Sequence, residues 1–173
     1  DKKRVVLDEG VDMVKASANH FYDGVTQDEA EEFYRKKNMP DDPRPVSWGL
    51  NSQLSKDRNH GTIRERVWKW GGMYGEAIEK IVFWLEEALK VAATEAQQKA
   101  FEALIDYYKT GDLKKFDEYN IRWLSDTDSP IDVINGFIEV YGDPLGRKGT
   151  YESVVYMRDE EATRRAATIS DNA

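Results

Sequence analysis

Gly75-Glu76-Ala77-Ile78-Glu79-Lys80-Ile81-Val82-Phe83-Trp84-Leu85-Glu86-Glu87-Ala88-Leu89 is the stretch on which the fold reading turns. Ile78, Ile81, Val82, Leu85 and Leu89 recur at the spacing that places side chains on one helical face, so the pattern predicts an amphipathic helix over about 75–92. Gly71-Gly72, just before it, break the chain ahead of that helix. Toward the C-terminus, Thr94 with Gln97 reads as a capping box, Phe101, Leu104, Ile105 and Tyr108 form the next stripe, and Gly111 supplies a stop. Asp112 then opens a helix carrying Leu113, Phe116, Trp123 and Leu124, and Ser129-Pro130 has the order of a new helical turn. Beyond it the period changes to two. Phe137 to Tyr141 alternate, as do Tyr151, Ser153 and Val155 against Glu152, Val154 and Tyr156, which predicts two strands around the loop Gly142 to Gly149. Asp159 caps a last helix.

Toward the N-terminus, Leu7, Val11, Val14, Ala18 and Phe21 stand at helical spacing, and Thr26-Gln27-Asp28-Glu29 is a capping box for a helix closed by Asn38 and Pro40. These residues predict a helical pair over 1–40. Val46, Trp48, Leu50 and Leu54, then Ile63 and Val67, predict a β-hairpin over about 46–70 around the loop Lys56 to Gly61. A helical segment over about 75–134 and the strands and final helix over about 135–173 complete the division. No period of 20 to 50 residues recurs, which argues against a solenoid. The expected fold is α+β, predominantly helical with small antiparallel strands.

The 173 residues fall in the range of one domain, and 40% hydrophobic residues suffice for a sizeable core. A net charge of -8 opposes binding of a phosphate backbone. The basic clusters Lys2-Lys3-Arg4 and Arg35-Lys36-Lys37 read as solvated helix ends, so no nucleic-acid partner is expected. The longest apolar run, Ile81 to Leu85, is far shorter than the ~20 residues of a membrane span. With no cysteine, disulfides and thiolate ligands are excluded, which suits a reducing, cytoplasmic setting. The start at Asp1 and the end at Ala173 within a helical pattern read as cuts in a longer protein, whose upstream export signal stays open as an alternative.

His20 and His60 are the only histidines and make a poor metal pair, since a zinc site needs three or four converging ligands. They are expected in surface or capping roles, and no metal is assigned to this chain. Gly71-Gly72-Met73-Tyr74-Gly75 lacks the Lys and Ser/Thr of a phosphate cradle, and no nucleophile elbow or dinucleotide fingerprint occurs. Trp48, Trp68 and Trp70 could stack ligands but more simply pack on a helix. The carboxylate runs Asp28 to Glu32 and Glu86-Glu87 read as solvated faces.

The segment Gly136-Phe137-Ile138-Glu139-Val140-Tyr141 differs. On a regular strand Glu139 and Tyr141 share one face with Phe137, and their separation of roughly 7 Å matches an extended dipeptide. A carboxylate there can hold the ammonium of a peptide N-terminus, and a tyrosine hydroxyl two residues on can donate to a carbonyl oxygen that gains charge during hydrolysis. The same two residues on an exposed edge strand would look no different.

Gly136 to Gly146, followed by Arg147 to Glu152, resembles the segment of the dipeptidyl peptidase III family that lines its substrate cleft. Tyr34 to Leu54, Val67 to Gly72, Ala77 to Val82, Tyr107 to Asp112 and Trp123 to Ser129 resemble the bacterial branch of the same family. That family is a two-lobed zinc metallopeptidase that removes dipeptides from the N-terminus of short peptides. Its zinc is held by a His-Glu-x-x-x-His helix and a further Glu, neither present in this sequence.

The resemblance therefore implies an internal piece of the non-zinc lobe, upstream of the zinc helix and inactive alone. Its partners would be a short peptide and the remaining lobe. By the same resemblance, Glu139 matches the glutamate that holds the substrate's amino group. Tyr141 matches the tyrosine that bonds the scissile peptide and its transition state, and Glu152 matches another cleft carboxylate. Val140 and Gly142 replace the Ser and Arg that flank the tyrosine in animals, which bears on subsite preference. Two alternatives stand beside this reading: a helical scaffold in which Glu139 is buried or paired with Arg147, and a hydrolase using Glu139 with Asp143.

Overall fold

The computed structural model describes residues 3–173. The stripe that decided the reading forms helix α3 (Gly75–Leu89), preceded by α1 (Met13–Ala16), β1 (Tyr22–Asp23), α2 (Gln27–Lys37), β2 (Ser52–Lys56) and β3 (Ile63–Val67). After it come α4 (Glu95–Thr110), α5 (Leu113–Leu124), β4 (Ile131–Glu139), β5 (Thr150–Met157) and α6 (Glu160–Asp171). Ile78, Val82 and Leu85 of α3 are buried. Between α3 and α5 runs α4, which buries Phe101, Leu104, Tyr107 and Tyr108. The main core joins these helices to Phe21, Trp68, Phe116 and Phe137, and a smaller cluster gathers Val25, Ala30, Tyr34 and Leu54 beneath α2.

Local signals account for the helix ends. Thr26 and Glu29 cap α2 reciprocally, with Glu29 N–H donating to Thr26 Oγ1 at 3.2 Å and Thr26 N–H to Glu29 Oε2 at 3.0 Å. At α4 the box is only half formed. Thr94 Oγ1 accepts from Gln97 N–H, but the Gln97 amide takes the Ala93 N–H and donates to the Ile131 carbonyl at 2.8 Å, tying the start of α4 to β4. Gly111 closes α4 at φ +74°, where a side chain would also strike Val67.

β2 and β3 form the expected hairpin, Ser52 opposite Val67 and Lys56 opposite Ile63, and β1 adds a parallel strand at Tyr22 opposite Leu54. The hairpin is shorter than 46–70 because Val46 to Asn51 make turns, with Gly49 at φ +100° packed on the Tyr34 ring. β4 and β5 pair antiparallel from Ile131 opposite Met157 to Phe137 opposite Tyr151.

Four expectations change. The helical pair over 1–40 reduces to α2 and the single turn α1. Gly10 at φ +77° and the Asp12 cap start that turn late, leaving Leu7 and Val11 exposed. Lys3 and Arg4 are exposed but end no helix, and Lys2 of that cluster lies outside the described residues. Ser129-Pro130 opens no helical turn and leads straight into β4, so the helical segment stops short of 134. The strand ends at Glu139, not Tyr141.

Asp159 caps α6 as expected, accepting from Glu161 and Ala162 N–H, yet no residue of α6 is buried. Among the described residues, no helix is long and apolar enough to cross a membrane.

Candidate functional site

Glu139 closes β4 opposite Thr150, after a bulge that shifts the register between Phe137 and Glu139. The extra residue, Ile138, breaks the strict alternation on which a common face for Phe137, Glu139 and Tyr141 depended. Tyr141 lies in the turn beyond the strand and is 72% exposed. Glu152 sits on β5 opposite Gly136, which makes it diagonal to Glu139; such positions in a regular antiparallel pair lie roughly 7–8 Å apart. Glu139 and Glu152 are half-buried. Among the described residues no ion pair or hydrogen bond engages the Glu139 carboxylate, while its carbonyl accepts from Thr150 Oγ1 at 3.1 Å. Two carboxylates and one phenol thus stand at one end of the ribbon, accessible from solvent.

Neither alternative partner for Glu139 is in place. Arg147 donates to the Trp48 carbonyl at 3.2 Å and lies over the Tyr34 ring at 4.6 Å. Asp143 is buried, and its carboxylate organises the turn: Oδ1 accepts from Leu145 N–H, and Oδ2 accepts from Arg147 N–H, Lys148 N–H and the Tyr22 hydroxyl, all within 2.8–3.1 Å. Buried and holding four donors, this carboxylate serves the turn and is not presented to solvent. Gly142 packs against the Arg4 guanidinium, which fills the space a side chain at 142 would take.

Beneath the turn lies a polar nest. Lys148 is fully buried, its Nζ donating to the Tyr34 hydroxyl and to Ser52 Oγ at 3.1 Å. Both hydroxyls in turn donate to Glu65 Oε1, at 2.9 and 2.8 Å, and Lys37 pairs with Glu65 Oε2. Desolvation pulls the Lys148 ammonium down to a pKa of about 7, against the opposing pull of Glu65 and Asp143. Burial raises the Tyr22 phenol, helped by Asp143, and the Tyr34 phenol, helped by Glu65. For Glu65, desolvation works upward, but its hydrogen bonds to Lys37 and Ser52 leave the carboxyl below its ordinary value. Asp143 was legible only as a loop residue and as an alternative carboxylate partner for Glu139, not as the centre of a buried turn, and Lys148 carried no signal, since a loop lysine is ordinarily solvated.

Two apolar grooves flank the ribbon. One of about 490 Å3 runs between α3 and the β4–β5 face bearing Val133, Asn135 and Ser153. The other, of about 350 Å3, lies between His20, Trp68, Tyr74 and Phe137. His20 is exposed, in the surface role expected of it; its ring stacks on Trp68 at 6.0 Å, and desolvation, then Arg4, lower its pKa. His60 sits in the exposed hairpin loop beside Asp57. Trp68 is core, as packing on a helix requires, whereas Trp70 is 42% exposed beneath Lys109. Among the described residues no group of three or more His, Cys, Asp and Glu stands close enough to hold a metal, so these residues do not fit a zinc ion.

Comparison with known proteins adds a family to this geometry. Dipeptidyl peptidase 3 of Dictyostelium discoideum is 30% identical over 102 residues, covering 59% of this chain and 15% of that protein. The human dipeptidyl peptidase 3 is 30% identical over 84 residues, 49% of this chain and 11% of that protein. The chain therefore spans about 15% of the length of the Dictyostelium relative. Among solved structures, dipeptidyl-peptidase III from Corallococcus sp. strain EGB superposes with a TM-score of 0.64 at 20% identity, covering 95% of this chain and 29% of that one. DPP III from Caldithrix abyssi gives the same TM-score and identity over 87% of this chain and 27% of that one. At such identity the superpositions establish the α+β fold. The model of peptidase family M49 matches residues 48–173, a stretch that includes Glu139, Tyr141 and Glu152, and the chain belongs to that family.

Proposed function

We propose that this chain is the substrate-binding part of a zinc-dependent exopeptidase that releases dipeptides from the N-terminus of short peptides, and that it is inactive alone. The observation that carries the reading is the family match over 48–173, joined to relatives named as dipeptidyl peptidases. The local geometry supports it: the Glu139 carboxylate has no ion-pair or hydrogen-bond partner among the described residues, Glu152 stands diagonal to it, and Tyr141 is exposed to solvent. A carboxylate so placed holds a peptide's terminal ammonium by a charge-assisted bond, and Glu152 adds negative charge to the same cleft. Tyr141 donates to the scissile carbonyl and strengthens that bond as the oxygen becomes negative. Zinc would be held by residues outside this chain and would supply Lewis-acid chemistry there.

The test uses the full-length enzyme and a short peptide with a free N-terminus, with and without a chelator. Release of dipeptides should be chelator-sensitive and should vanish when the peptide's N-terminus is acetylated. Tyr141→Phe should lower kcat on the order of a hundred- to a thousandfold with KM nearly unchanged, because the lost contact belongs to the transition state. An unchanged kcat would remove the hydroxyl from the chemistry.

A further inference from the structure

We propose that Lys148 is a positioning residue for Tyr141: tethered through the Tyr34 and Ser52 hydroxyls to Glu65, it holds the Asp143-centred turn that carries Tyr141 against the β1–β2–β3 sheet. The inference rests on the catalytic reading of Tyr141 given above. Tyr141 itself is 72% exposed and lies in the turn beyond β4, so its location depends on that turn. That turn is closed internally by Asp143 N–H donating to the Val140 carbonyl at 3.0 Å, Gly146 N–H to the Asp143 carbonyl at 2.9 Å, and the carboxylate bonds of Asp143. Internal bonds give the turn its shape but do not dock it. Docking comes from the Tyr22 hydroxyl, the Gly149 N–H to the Leu50 carbonyl at 2.8 Å, the Arg147 contact with Trp48, and the Lys148 side chain.

Of these, the Lys148 ammonium is fully buried beside the small core, over the Tyr34 ring at 4.6 Å and the Tyr22 ring at 5.7 Å, where it bonds the Tyr34 and Ser52 hydroxyls. The charged and titratable groups around it are Lys37 and Tyr34 from α2, Tyr22 from β1, Glu65 from β3, and Asp143 and Arg147 from the turn. A fully buried lysine held by neutral hydroxyls is costly where it sits, as its depressed basicity shows. An apolar side chain of similar length would fill the space without that cost. What the apolar chain cannot supply is the two directed bonds, and a misplacement of about 1 Å at a reacting group is enough to lower a rate roughly a hundredfold.

The experiment compares wild type, Lys148→Met and Ser52→Ala as full-length enzymes by steady-state kinetics on a free-amine peptide and by amide hydrogen exchange. Lys148→Met should lower kcat roughly ten- to a hundredfold with little change in KM. Protection at the Leu145, Arg147 and Gly149 amides should fall, while that of the β2–β3 hairpin is retained and the melting temperature does not drop. Ser52→Ala, which keeps the lysine and removes one tether, should move both readouts in the same direction by less, and stands in if Lys148→Met does not fold. Unchanged kcat, or unchanged protection of the turn, in an active enzyme overturns the inference and leaves the functional reading standing. A wild-type enzyme that releases no dipeptide overturns both.

Discussion

The turn between β4 and β5 and the tail that follows β5 are neighbours in sequence with opposite physical characters. From Gly142 to Gly149 the chain has no regular secondary structure, yet Gly142, Asp143, Pro144, Lys148 and Gly149 are buried and the Asp143 carboxylate satisfies three backbone N–H groups and a phenol. From Val155 onward the chain is regular, finishing a strand and forming a capped helix of twelve residues, and every residue is exposed. Local hydrogen bonding therefore shapes α6, whereas tertiary contact shapes the turn. Order in the turn depends on distant residues such as Tyr22, Tyr34 and Leu50; in the tail, Val155 to Arg158 are held by pairing with Pro130 to Val133, and α6 beyond them depends on capping and propensity.

The sharpest way to break this contrast is to remove the turn's centre. Asp143→Ala strands the N–H groups of Leu145, Arg147 and Lys148 and the Tyr22 hydroxyl, and should destabilise the chain by roughly 3–5 kcal/mol in urea unfolding. A loss below about 1 kcal/mol would mean that the turn is held from outside. Tyr22→Phe removes one of those bonds and leaves the ring packing intact, so its expected cost is smaller, roughly 1.5–3 kcal/mol, as for a hydrogen bond to a charged group. The two losses should not add, since both act on the same carboxylate.

The nest beneath the turn adds a pH signature. Lys148 has a folded pKa of about 7, below its ordinary 10.5, so between these values the unfolded chain binds the proton that the folded chain has shed. Stability from this group therefore rises with pH across that window and is lowest below about pH 7, where the lysine is charged in both states. The expected gain between about pH 7 and pH 8.5 is about 1.5 kcal/mol, readable as the difference in slope between wild type and Lys148→Met in paired urea titrations. Parallel slopes would mean that the lysine is solvated. Above pH 10 the raised phenols of Tyr22 and Tyr34 act the other way, because only the unfolded chain ionises them.

The same contrast explains what could be read from the sequence. Helices α3, α4 and α5 were legible from their apolar stripes, reinforced by a capping residue before α4 and α5 and by a glycine stop after α4. The β2–β3 hairpin and the β4–β5 pair were legible from alternation, and so were Glu139, Tyr141 and Glu152 as candidates, because they match a family pattern. Alternation alone could not show that Ile138 forms a bulge, which ends the strand at Glu139 and moves Tyr141 into the turn. It also could not show that Leu7 and Val11 face solvent, since helical spacing without enough burial does not make a helix. The nest was invisible for a different reason: Lys148, Tyr34 and Glu65 are brought together across 114 and 31 positions of sequence, and only the fold makes them neighbours.

The smallest effect belongs to the tail, and its smallness is informative. Ile169 is 73% exposed on α6, and Val155 and Met157 are 65% and 79% exposed on β5. Replacing Ile169 with Ser removes no buried surface, so in this chain the change should stay within about 0.5 kcal/mol in urea unfolding. In a longer protein containing this chain the outcome differs if a further part covers this face, because Ala162, Ala166 and Ile169 share one side of α6 at helical spacing and would then be buried. Burying an isoleucine contributes roughly 1.5–3 kcal/mol, so a loss of that order in the full-length protein and none in this chain would identify α6 as a surface completed from elsewhere. Equal, negligible effects in both would leave α6 a solvated helix, and the contrast with the turn would then separate two kinds of surface instead of a finished region from an interface.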